Sequence, residues 1–100
     1  MNKDQMSELV RQVSLRFAES SGYPVTARAR GALVAPSLRH LEQVSVELEQ
    51  GRVTMLQLEA AVLAVLKNAL PDVQRRDLRS IDASAVESSM ARYCPYLFWC

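Results

Sequence analysis

The chain is short of the residues that most catalytic chemistry needs. Its 100 residues include one histidine, two cysteines, three glycines and two lysines. His40 falls on the polar side of its segment, between Arg39 and Glu42. General acid–base catalysis wants a histidine or paired carboxylates converging in a cleft, and here the carboxylates are scattered along polar faces or placed at helix starts. Cys94 and Cys100 are spaced C-x5-C, with no histidine close in sequence to activate either. A zinc site wants tighter cysteine pairs and usually four ligands, so two plain thiols and no metal are expected. Gly22, Gly31 and Gly51 are isolated, which excludes a glycine-rich phosphate cradle. No catalytic, cofactor-binding or metal-ligating residue is therefore expected, and the chain does not read as an enzyme.

Charge of one sign is also missing. A formal net charge of +1 gives no global field toward a membrane and weakens the counterion-release drive for nucleic acid. Arginine outnumbers lysine ten to two, which suits an interface but equally suits a GC-rich coding sequence. The longest apolar run, residues 60–66, is far too short to span a bilayer, and MNKDQMSELV holds no apolar signal core. A cytoplasmic location without membrane contact is the default expectation. Strand-like alternation, internal repeats and low-complexity segments are absent.

What is present is apolar residue, at 49% of the chain. That excludes disorder. It also exceeds what one small domain over residues 1–100 hides easily, which leans toward a dimer or a bound partner. Residues 54–70, TMLQLEAAVLAVLKNAL, are the centre of the reading. Thr54 and Gln57 form a capping box, and Pro71 is expected to end the helix. Met55, Leu58, Val62, Leu63, Val65, Leu66 and Leu70 fall on one broad face, Ala60, Ala61 and Ala64 on the other. The aliphatic face makes core, and the three alanines are the expected dimer interface. Glu59 points into the leucine face, either reaching water or an arginine near the positive helix end or making a specific contact to an arginine of this chain or a partner.

Around this helix the pattern predicts others. Met6, Leu9, Val10, Val13 and Phe17 form the stripe of a first helix over residues 4–20, capped by Asp4 and ended by Gly22. Leu15 lies off that stripe as a second contact candidate. Thr26 caps a short helix through Val34, and Pro36 opens another running to Gln50, hairpinned onto the central helix. Asp72 caps a short helix to about Ser80 that carries Arg75, Arg76 and Arg79, and Ser84 with Glu87 starts a last helix stopped by Pro95. The tail, residues 94–100, holds Tyr96, Phe98 and Trp99, residue types that dominate interface energetics. It either folds back as a lid on the core or meets a partner.

The fold expected is all-α, a small bundle of about five helices around residues 54–70. The function expected is binding to another protein, as a regulator, inhibitor or adaptor that occupies a partner's surface, in a chain that is itself a homodimer. Arg75, Arg76, Arg79, Tyr96, Phe98 and Trp99 are the partner-binding candidates. The alternative is a small DNA-binding transcriptional regulator using the Arg75/Arg76/Arg79 helix, disfavoured by the interleaved Asp72, Asp77 and Asp82.

Overall fold

Each long helix in this chain is followed by a left-handed residue, one bridging residue, a side-chain cap and a shorter helix. The computed structural model describes residues 1–93, so the tail candidates Tyr96, Phe98 and Trp99 and both cysteines lie outside the described residues. Among the described residues there are five helices: α1 (Lys3–Ser21), α2 (Ala27–Leu38), α3 (Leu41–Glu49), α4 (Met55–Arg75) and α5 (Ala83–Arg92). The protein is all-α, as its periodicity predicts.

α1 starts earlier than Asp4 would place it. The Asn2 side chain accepts the Gln5 amide while Gln5 Oε1 accepts the Asn2 amide, so a capping box outcompetes the single aspartate. Gly22 (φ 80°) ends the helix, its amide donating to the Ala18 carbonyl. Val25 then makes an isolated parallel bridge with Ile81. Ile81 N–H donates to the Pro24 carbonyl (2.8 Å), and the Ile81 carbonyl accepts from the Thr26 amide (3.1 Å). Thr26 and Asp82, the residues next along each chain segment, cap α2 and α5. The two short helices therefore start side by side.

Pairing follows the same logic. α1 packs on α2, α4 on α5, α1 on α4, and α2 on α5. The fold is thus two matching halves, α1–Val25–α2 and α4–Ile81–α5, laid together around a shared core. Met6, Val10, Leu33, Leu58, Val62, Leu66, Ile81 and Val86 are completely buried in it. α3 bridges the halves and packs chiefly against α2, not in the hairpin with α4 that a short connection predicts. The turn at residues 50–53 is a Schellman motif, with Gly51 at φ 73° and the Arg52 amide on the Glu47 carbonyl.

Both prolines expected to bound helices lie inside them. Pro36 is in the last turn of α2, and α3 begins only at Leu41, after a His40 cap that makes no side-chain bond. Pro71 is continuous with α4, which runs on to Arg75. The carbonyl deprived of its donor there belongs to Lys67, and both residues are exposed, so the freed oxygen is open to solvent rather than buried. The predicted helix from Asp72 to about Ser80 is consequently not a separate element. Its first part is the end of α4, closed by Asp77 at φ 56° with a second Schellman pair, Asp77 amide to Gln74 carbonyl and Leu78 amide to Val73 carbonyl. α5 is capped by Asp82, whose carboxylate accepts the Ala85 amide, rather than by Ser84, and it ends at Arg92.

Candidate functional site

α4 is positioned by its start. The Thr54 hydroxyl accepts the Gln57 amide (3.1 Å) and Gln57 Oε1 accepts the Thr54 amide (2.8 Å), which fixes the helix rotation from its first turn. Leu58, Ala61, Val62, Val65, Leu66, Ala69 and Val73 then recur at three- and four-residue steps and go into the core. The opposite side stays out. Leu56 is 76% exposed and Met55 46%. Ala60 is exposed, Leu63 and Ala64 are half-buried, and Lys67 closes the stripe. Aliphatics thus occupy both faces of α4, whereas its neighbour α1 presents Lys3, Asp4, Glu8, Arg11, Gln12 and Glu19 to solvent.

The three alanines proposed from the wheel divide on this rotation. Ala61 belongs to the core, with 5% exposure, because it falls between Leu58 and Val65 on the inner stripe. Ala60 and Ala64 remain on the outer side beside Leu56 and Leu63.

Along the seam between α1 and α4 runs an open groove of about 390 Å³, lined by Val13, Arg16, Phe17, Leu56, Ala60 and Leu63. Its rim holds Glu59, which does not sit mid-face in the core as the wheel places it. It lies at the edge of the helix, half-buried, and pairs with Arg16 of α1 at 3.3 Å. A second groove of about 600 Å³ continues past Glu59 toward the start of α1, where Met1, Leu9, Leu48 and Met55 give apolar walls and Asp4 and Glu8 an acidic margin. Hydrogen bonds from Arg11, and then from Gln12, hold the Glu8 carboxyl down to about 2, so it is a fixed anion at neutral pH.

No family model, curated protein or solved structure matches this chain.

The arginine cluster is tied up within the fold. Arg75 pairs with Asp72 (2.9 Å), and Arg76 reaches Asp72 (3.2 Å) and Asp82 (2.8 Å). Burial at the cap pushes the Asp82 carboxyl up, but the Ala85 amide and the Arg76 guanidinium outweigh it and hold the group below its ordinary value. Arg79 stands apart on the loop to Ile81 and is exposed. The three arginines share no helix face, since Arg76 caps α4 and Arg79 lies beyond the left-handed Asp77. His40 is half-buried near Arg39, Glu42, Gln43 and Val46. Among the described residues no three His, Cys, Asp or Glu side chains gather where a metal ion would be held, and no helix is long and apolar enough to cross a membrane.

The outward face of α4 was partly visible in the sequence, through its surplus of aliphatic residues. Its most exposed aliphatic residue, Leu56, was not, because it belongs to neither the aliphatic stripe nor the alanine face read from the sequence.

Proposed function

We propose that this chain acts by binding another protein, through the outward face of α4 and the groove it forms with α1, as a regulator, inhibitor or adaptor rather than as a catalyst. The observation that carries the reading is Leu56 at 76% exposure, beside Met55 and the groove lined by Phe17, Ala60 and Leu63. Large aliphatic groups grouped on a surface are unfavourable in water and mark interaction sites. Nothing in the core requires Leu56, since Leu58, Val62 and Leu66 already fill the inner stripe. An apolar groove beside a helix suits helix-in-groove recognition.

The DNA-binding alternative has less to support it. Arg75 and Arg76 are engaged with Asp72 and Asp82, and phosphates would have to compete with those carboxylates.

The experiment is retention of proteins from the native host on the immobilised chain, wild type against Leu56→Asp, with both shown folded by circular dichroism. Retention lost in the variant supports the reading. An identical retained set at both, or retention removed only by salt and by reversal of Arg75 and Arg76, contradicts it.

A further inference from the structure

The same α1–α4 surface carries a projecting side chain and a recess next to it. Leu56 stands out from the start of α4, and Ala60 and Leu63 of the same helix, with Val13 and Phe17 of α1, line the groove beside it. The rim carries one cation and one anion, Arg16 and Glu59, which lie 3.3 Å apart and leave the local charge balanced. A surface with its own projection, its own recess and one charge of each sign is complementary to itself. In a two-fold interface the contacts are reciprocal: residue i meets j while j meets i.

We infer that the occupant of this face is a second copy of this chain. The inference rests on the reading of the α4 face as a protein-binding surface and names its partner. The two α4 helices lie antiparallel across a two-fold axis near Ala60. Leu56 of each copy enters the Phe17–Leu63 recess of the other, and Arg16 of each faces Glu59 of the other. Within this recess the charge balance suits a second copy and disfavours a strongly acidic or strongly basic partner, because either would leave one of Arg16 and Glu59 opposed by like charge. Ala60 and Ala64 allow close approach of the helix backbones at the axis. With the axis at Ala60 the two α4 helices overlap over residues 55–65, about 16 Å, and Val13, Arg16 and Phe17 of α1 widen the contact.

The experiment is sedimentation equilibrium of the full chain at micromolar concentration, with variants mixed pairwise. The wild type should sediment at twice its 11.2 kDa mass. Leu56→Asp should weaken the dimer at least about a hundredfold, as loss of a central apolar anchor does. Arg16→Glu alone and Glu59→Arg alone should each weaken it about tenfold, through like-charge opposition across the axis. Mixing those two variants should restore a heterodimer. Both positions are then acidic in one chain and basic in the other, so each contact across the axis joins opposite signs. A purely intramolecular pair gives no recovery on mixing, and that result overturns the arrangement. A dimer indifferent to Leu56→Asp overturns it too. A wild-type monomer at every concentration overturns self-association, and Leu56-dependent retention of a different protein would then leave the protein-binding reading standing.

Discussion

α1 and α4 hold equivalent places in the two halves of the fold, yet they treat solvent differently. Each is the long helix of its half, each packs on a shorter helix and on the other, and each buries a largely apolar stripe. On its outer side α1 is charged, with Leu15 at 49% exposure as the exception. α4 is aliphatic there, from Met55 and Leu56 to Leu63. A fold that solves one position with charges does not need aliphatics at its equivalent. Leu63 still packs against the core, but Leu56 and Met55 are more exposed than folding alone explains, and exposed apolar surface of that kind is where a binding function is sought.

The largest expected effect separates the two faces of α4. Leu66→Ala removes a completely buried side chain and should cost about 2–5 kcal/mol, whereas Leu56→Ala in dilute solution should cost less than about 0.5 kcal/mol. Urea unfolding at low protein concentration reads both. Equal losses would mean that Leu56 is core and the two faces of α4 are not different.

Next come the matching caps of the short helices. Thr26→Ala and Asp82→Ala should each cost about 1 kcal/mol, Asp82 the more because it also anchors Arg76. Their pH behaviour should differ. The folded Asp82 carboxyl lies below its ordinary value of 3.8, so its contribution is fully present above that value and is lost as the pH falls through the lower folded value. Asp82→Asn should keep the cap and flatten that acid limb, while Thr26 variants leave it unchanged. Melting curves across the acid range measure this.

Two buried serines give a similar contrast. The Ser89 hydroxyl donates to the Val65 carbonyl at 2.7 Å, tying α5 to α4, whereas the Ser14 hydroxyl of α1 is buried with no hydrogen-bond partner among the described residues. Ser89→Ala should lose about 1 kcal/mol, and Ser14→Ala should be neutral or gain up to about 1 kcal/mol by removing an unpaired polar group. Denaturant titration of both variants checks the order.

Effects of similar or smaller size are expected at the residues that end the long helices. Gly22 and Asp77 are both left-handed, and only glycine adopts that backbone without penalty. Gly22→Ala should cost about 1 kcal/mol, although a Cβ there meets no atom within 4 Å. Asp77→Gly should gain about 0.5 kcal/mol. If both changes destabilise in thermal melts, Asp77 owes its conformation to a side-chain contact and the two ends are not equivalent.

These halves were half legible in the sequence. The stripe of Met6, Leu9, Val10, Val13 and Phe17 and the Thr54–Gln57 box state their helices directly, because period and cap chemistry are local. Pro36 and Pro71 misled: Pro36 falls in the last turn of α2, and Pro71 costs one bond to the Lys67 carbonyl on an exposed side of α4, too little to stop a helix held by its buried face. The pairing of Val25 with Ile81 leaves no trace in either segment, as one residue on each side carries no periodicity. So the repeat of helix, bridge and helix is topological and invisible to composition. The arginine cluster was read from spacing in a helix that the left-handed Asp77 breaks.

The most direct test of the α4 face is the melting temperature measured against protein concentration for the wild type and Leu56→Asp. An interface between copies stabilises by mass action, so the wild-type value should rise with concentration. The Leu56→Asp value should stay flat and coincide with the dilute wild-type limit. Two flat lines, or two lines rising together, would contradict the assignment of Leu56 to an interface between copies of this chain.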